Sequence, residues 1–248
     1  MNLQKYKIGY SEDGGVFIGR NIQSDFHKHH LIAVVLSFAE SFEIVHENNQ
    51  SNTYEVALIP KDTLYKLSTS NTDYTVFIHL DPYSEIGITL AQNEQGIQGL
   101  NRSDFLVTLN EVKDWFEGSD NTSQRIYYLL HSIATTVTNG EFTRKKIDER
   151  VLQCIRLIRN SEVSTVQQQQ MADKVFLSSS RLSHLFKEET GLTFSQFVLH
   201  CKLVKSLQAM HSQQNLIEAS LFGGFSDQSH FTKTFKKSFG ITPSSSKQ

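Results

Sequence analysis

A chain of 248 residues with 38% hydrophobic and 20% charged residues fits a soluble globular protein with a real core, in one large domain or two ordinary ones. The net charge of -2 points to no partner, and two cysteines exclude a disulfide framework. The longest clean apolar run, Leu31–Leu36, is far short of the ~18 residues a membrane span needs, and no apolar segment follows Lys5 and Lys7. A cytoplasmic location and no membrane contact are therefore expected.

From residue 1 to about 100 the chain reads as β. Val16–Ile18, Leu31–Phe38, Phe42–His46, Val56–Pro60 and Thr75–Leu80 are short and rich in Val, Ile, Phe and Tyr. Turn clusters such as Asp13-Gly14-Gly15 and Glu47–Asn52 separate them. Short strands at close spacing predict a barrel or sandwich. Near residue 103 the period changes. Ile126, Leu129, Leu130, Ile133 and Val137 repeat at three and four, which predicts an amphipathic helix over 122–138, stopped by Thr138-Asn139-Gly140. The stripe Ile126, Leu129, Ile133 and Val137 suits a partner helix in a homodimer, or the surface of its own barrel.

The domain boundary is placed at residue 140, giving domains 1–140 and 141–248. Ile147, Val151, Cys154, Ile155 and Ile158 open the second, mainly helical domain. Cys154 and Cys201 read as buried structural thiols. Charge divides similarly. From Arg144 onward there are 15 Lys and Arg against 8 Asp and Glu, while residues 1–143 hold 9 against 18. Such asymmetry points to a nucleic-acid-binding half. The run Gln167–Gln170 reads as the outside of a short helix ending near Asp173.

Within the second half lies a repeat at an offset of 49 residues. Ser180, Phe186, Lys187, Gly191, Thr193 and Ser195 match Ser229, Phe235, Lys236, Gly240, Thr242 and Ser244. Each copy has a turn with a capping residue, a buried stripe at i, i+3, i+4, and an opposite polar stripe. The caps are serine in the first copy and Ser226 or Asp227 in the second. Short helices near Val166–Asp173 and Leu216–Leu221 precede the copies, which makes two helix-turn-helix motifs. Ser180, Ser183 and His184 in the first, and Gln228, His230, Thr232 and Lys233 in the second, can meet base edges in the major groove. Lys187, Lys236 and Lys237 lie where phosphates can be reached.

These residues resemble the AraC/XylS family of transcription regulators. The most specific stretch runs Gly224-Phe225-Ser226-Asp227-Gln228-Ser229-His230-Phe231 and on through Phe235-Lys236 to Gly240-Ile241-Thr242-Pro243. Ser178 through Gly191 is similar to the family's first motif, and the likeness covers about 100 residues from Ile147 to Ser244. It implies double-stranded DNA as partner, two recognition helices reading successive major-groove segments, and RNA polymerase contact if the protein is an activator. Lys202 stands where family members usually carry Arg, and Lys cannot make a bidentate fork. Leu221-Phe222-Gly223 is an unusual approach to the second turn.

The family plan also implies a cupin-like β-barrel in the first half, binding a small-molecule effector or mediating dimerisation. The fold class expected is thus an N-terminal cupin-like β-barrel with C-terminal helices, then an all-α domain. Phe26-His27-Lys28-His29-His30 supplies the site candidates His27 and His29, with Tyr65 after the turn Pro60-Lys61-Asp62. A cupin metal site also needs a carboxylate, and Leu31–Leu36 holds none, so no metal, no cofactor and no enzymatic activity are expected. His46 or His79 could complete a ligand set, but nothing in the sequence places them nearby. Two rivals to an effector-controlled regulator are an effector-free DNA-binding dimer and a cupin metalloenzyme fused to a DNA-binding module.

Overall fold

The computed structural model describes residues 6–91, 96–140, 147–211 and 215–243. The chain divides into two compact units. One comprises Met1–Arg144 together with Phe235–Gln248, the other Lys145–Thr234. Against the expected domains 1–140 and 141–248, the segment from Phe235 onward groups with the first unit. The start of the second domain at residues 141–146, and Ser244 of the repeat, lie outside the described residues.

In the first unit, strands β1 (Lys7–Ser11), β2 (Gly14–Gly19), β3 (Ile32–Ser37), β4 (Phe42–His46), β5 (Ser51–Tyr54), β6 (Val56–Ile59), β7 (Tyr65–Ser68) and β8 (Thr75–Leu80) come first. Helix α1 (Glu85–Leu90), strand β9 (Gln98–Leu100), and helices α2 (Leu106–Glu117) and α3 (Ser123–Thr138) follow. The strands make a six-stranded sheet in the order β1-β2-β8-β3-β6-β9 and a three-stranded sheet in the order β5-β4-β7, antiparallel throughout. The expected barrel is therefore two sheets without closure. Among the described residues β1 pairs only with β2 and β9 only with β6, so the larger sheet keeps two edges.

Strand β3 shows how the layers stack. All six of its residues are buried. Ile32, Val34 and Leu36 join a core with Phe105, Val112, Trp115 and the stripe of α3, while Ala33 and Val35 join Phe42, Ile44, Tyr65 and Leu67 of the small sheet. A strand covered on both faces loses the apolar–polar alternation.

Helix α3 starts and ends where the sequence predicts. The Thr122 side chain accepts from the Arg125 N–H, and Asn139 closes the helix in the left-handed region at φ 51°. Its stripe faces inward: Ile126, Leu129, Leu130 and Ile133 are at most 1% exposed, and Val137 packs against the same core. A Cβ at Gly9 would fall 2.2 Å from Ile126 Cδ1, so the bare backbone at residue 9 lets the Ile126 side chain sit directly on β1. Assignment of Ile126, Leu129, Ile133 and Val137 to a dimer seam is thereby corrected. Ile126, Leu129 and Ile133 have almost no accessible surface and cannot meet a second copy, and Val137, half-buried, packs on the same core.

The second unit opens with α4 (Glu149–Asn160), capped by Asp148 and burying Val151, Cys154, Ile155 and Ile158 at helical spacing. Burial pushes the Cys154 thiol up to about 12, which keeps it protonated and inert. Cys201 is likewise buried. Helices α5 (Gln168–Lys174), α6 (Ser179–Thr190), α7 (Phe194–His211), α8 (Leu216–Phe222) and α9 (Gln228–Phe239) complete the chain. Among the described residues no helix is long and apolar enough to cross a membrane.

Candidate nucleic-acid interface

Helices α5 and α6 form the first helix-turn-helix. Met171 and Ala172 of α5 are buried, as are Leu182, Leu185 and Phe186 of α6. The Phe186 ring meets Phe197 at 5.2 Å and Phe194 at 5.8 Å, both edge-on, which seats α6 on α7. At the helix start the Ser178 side chain accepts from the Arg181 N–H, and Gly191 ends it at φ 80°, the positive value its position predicts. With the apolar stripe turned in, Ser180, His184 and Lys187 are left exposed and Ser183 half-buried.

Helices α8 and α9 repeat the arrangement. Asn215 and Glu218 make a reciprocal capping box at the start of α8. Of the two candidate caps for α9, Asp227 accepts from the His230 N–H at 2.8 Å. That bond and the Ser226 hydroxyl hold its carboxyl below the usual carboxylate range. Phe231 and Phe235 are buried, and Phe225 packs edge-on to Phe231 at 5.5 Å. His230 and Lys233 are exposed, while Gln228 and Thr232 are half-buried.

The second turn is one residue longer than the first, with its left-handed residue at Gly224 (φ 85°) where the first has Phe176 (φ 57°). The unusual Gly223 has a steric reason. A Cβ there would lie 1.9 Å from Ser206 Oγ and 2.6 Å from the Lys202 carbonyl oxygen of α7.

The proposed phosphate contacts differ in their surroundings. Lys187 and Lys237 are exposed. Lys236 is exposed too, but its Nζ lies 3.2 Å from Asp25 Oδ2 within the first unit. Both side chains are more than half exposed, so the pair is weak and a phosphate could compete for the lysine. One contributor was not singled out from sequence. Gln168, inside the glutamine run, places Nε2 within 2.9 Å of the Ser179 carbonyl and 2.6 Å of Ser183 Oγ. The run reads as solvent cover because a glutamine's partner on another helix leaves no periodic trace.

In the first unit the structure brings His27, His29 and Tyr65 together. His27 bridges Tyr65 in backbone pairing, and their rings are 4.4 Å apart. His29 Nδ1 faces the Leu31 carbonyl at 2.9 Å, so that nitrogen carries the proton, and Nε2 accepts from the Tyr65 hydroxyl at 3.1 Å. His79 joins them, its ring 5.0 Å from His29. It shares the inward face of β8 with Phe77, two residues earlier, and that alternation is the signal that could have found it. Burial, with the charge of His27, pushes the His79 imidazole down to about 4. Burial also lowers His27, against the opposing Asp25 backbone and charge. The Phe239 ring lies 5.8 Å from His29 and 5.3 Å from His79. His46 turns elsewhere, toward Tyr54 and Asn52. Among the described residues no three His, Cys, Asp or Glu are grouped to hold a metal ion.

A helix-turn-helix domain model matches residues 171–248. The transcriptional activator RhaS of Escherichia fergusonii is 29% identical over 97 residues, covering 39% of this chain and 35% of its own. The Msm operon regulatory protein of Streptococcus mutans is 30% identical over 95 residues, 38% of this chain and 34% of its own. The xylose operon regulatory protein of Escherichia coli is 32% identical over 101 residues, 40% of this chain and 26% of its own. This chain thus spans about a third or less of the length of these curated relatives. Over nearly the whole chain the fold is similar to ToxT of Vibrio cholerae. The apo form has TM-score 0.64 at 16% identity, covering 96% of this chain and 98% of that one. A form with bound unsaturated fatty acid has TM-score 0.59 at 15% identity, covering 98% and 94%.

Proposed function

From a C-terminal helix-turn-helix domain of the AraC/XylS type, we propose that this protein is a sequence-specific DNA-binding transcription regulator with α6 and α9 as its recognition helices. The observation that carries this reading is the doubled motif itself. Each recognition helix is capped at its start, buries a phenylalanine-centred stripe, and leaves a hydrogen-bonding and cationic stripe open. Ser180, Ser183 and His184 read bases from α6, and Gln228, His230, Thr232 and Lys233 read them from α9. Lys187, Lys236 and Lys237 meet phosphates.

The first unit supplies control by a small-molecule effector. His27, His29, Tyr65 and His79 give it ring nitrogens and a hydroxyl that can hydrogen-bond, grouped closely together. ToxT, whose fold it shares, has been solved with an unsaturated fatty acid, which makes long-chain carboxylates the first compounds to try. RNA polymerase contact belongs to this reading if the protein activates, as RhaS does. Dimerisation, if it occurs, uses surface other than the buried stripe of α3.

Selection of DNA fragments from a random pool by the full-length protein, followed by footprinting, tests the reading. Two protected segments about one helical turn apart on one face are expected. A protein that enriches no sequence would refute it. A thermal-shift screen of fatty acids and other metabolites separates effector control from an effector-free regulator, which no compound would stabilise.

A further inference from the structure

Gln168 is the first residue of α5, yet its side chain is committed to α6. Its Nε2 lies 2.9 Å from the Ser179 carbonyl oxygen, 2.9 Å from Ser179 Oγ and 2.6 Å from Ser183 Oγ. A carbonyl oxygen only accepts, so the atom facing it is the amide nitrogen, which settles the orientation of the carboxamide. Ser183 Oγ is therefore an acceptor toward Gln168. No other hydrogen bond of Ser183 occurs among the described residues, so its own proton is free to point elsewhere. The space it can point into is open. Gln168, Ser183, His184, Lys187 and Glu188 line one cleft of about 500 Å³ with Thr193 and the first residues of α7.

We propose that Gln168 is a positioning residue for sequence reading: it fixes Ser183 as a hydrogen-bond donor toward a base edge in the major groove. The inference rests on the DNA-binding reading above and adds a direction to it. A serine hydroxyl by itself both donates and accepts, so it discriminates poorly among bases. With one of its two lone pairs taken by Gln168 and its proton left free, Ser183 is biased toward base edges that present an acceptor, such as guanine O6 and N7 or thymine O4, over the cytosine amino group. Gln168 need not touch DNA for this. It acts through Ser183, at a distance of one hydrogen bond.

The test uses full-length protein and base preferences from random-pool selection, with binding measured across a salt series. Ser183→Ala identifies the base position concerned by flattening preference there. Gln168→Met, which keeps length and helix propensity without the amide, is expected to flatten the same position by about 2- to 10-fold, the range of one net hydrogen bond. The salt slope should stay unchanged, because no phosphate contact is lost. Gln168→Glu replaces the donor by an acceptor, so Ser183 turns its proton inward. Preference at that position should then move toward a donor-bearing base edge. A simple brace between α5 and α6 would instead lower the melting temperature and weaken all sequences alike, and that result overturns the proposal. So does an unchanged preference in Gln168→Met or in Ser183→Ala while the wild type still selects DNA, and the DNA-binding reading then stands. A wild type that selects no sequence removes both.

Discussion

Replacing Phe176 by glycine should stabilise the second unit. Phe176 sits in the turn of the first helix-turn-helix at φ 57°, while the second turn carries Gly224 at φ 85° in the corresponding place. Holding an L-residue with a side chain in the left-handed region costs about 1–2 kcal/mol. Glycine escapes that strain but gives up about 0.5–1 kcal/mol of extra chain entropy on folding. A buried phenylalanine would add a burial loss to this account, but Phe176 is 94% exposed and contributes none. The balance is a gain of about 0.5–1 kcal/mol. At a urea slope of about 2 kcal/mol/M this moves the midpoint up by about 0.3–0.5 M. Two probes separate the units. Trp115, the single tryptophan, lies in the first unit's core and reports it by fluorescence, whereas helical circular dichroism includes α4–α9. The helical transition of Phe176→Gly should rise by that amount. An unchanged or lower midpoint would refute the strain account and show that Phe176 makes an interaction its exposure conceals.

Acidification should destabilise the first unit. The His79 imidazole is pushed down to about 4, below its unfolded value near 6.5. Between those values the unfolded chain binds more protons, so stability present above pH 6.5 is lost as pH falls toward 4, by no more than about 3 kcal/mol. Urea midpoints followed by Trp115 fluorescence should drop over that window, and the slope should flatten in His79→Gln; equal slopes in both proteins would contradict the assignment. Lys187→Ala and Lys237→Ala should each weaken binding to all DNA alike and lower the salt slope by about one unit, as read from affinity against salt concentration. Leu129→Glu should give an unfolded or aggregating first unit, because an unpaired carboxylate is forced into a site 1% exposed. Light scattering that found a folded monomer instead would restore α3 as a seam between copies.

Much of the second unit was legible because its signals are local. The stripe Leu182, Leu185 and Phe186, the cap Ser178 and the stop at Gly191 all lie within one helix length, where the 3.6-residue period links sequence directly to a face. The repeat then doubled each inference, but it left Ser226 and Asp227 both open as the second cap, and the structure chose Asp227. In the first unit the strands were legible as segments. Their assembly into two unclosed sheets was not, since alternation tells a strand's faces but not its neighbours.

The amino-acid sequence by itself determined that α3 has one apolar face, that α6 and α9 have opposed apolar and polar faces, and that His27, His29 and Tyr65 belong to one domain. Only the tertiary structure decided what lies against each face. It set the stripe of α3 on its own sheet at Gly9, put His79 beside His29, drew Lys236 to Asp25, and turned Gln168 toward Ser183. The physical reason is common to all four. Periodicity records whether a side chain prefers water or a covered surface, whereas the identity of the covering group depends on residues far away in the chain, brought near by packing that no local pattern encodes.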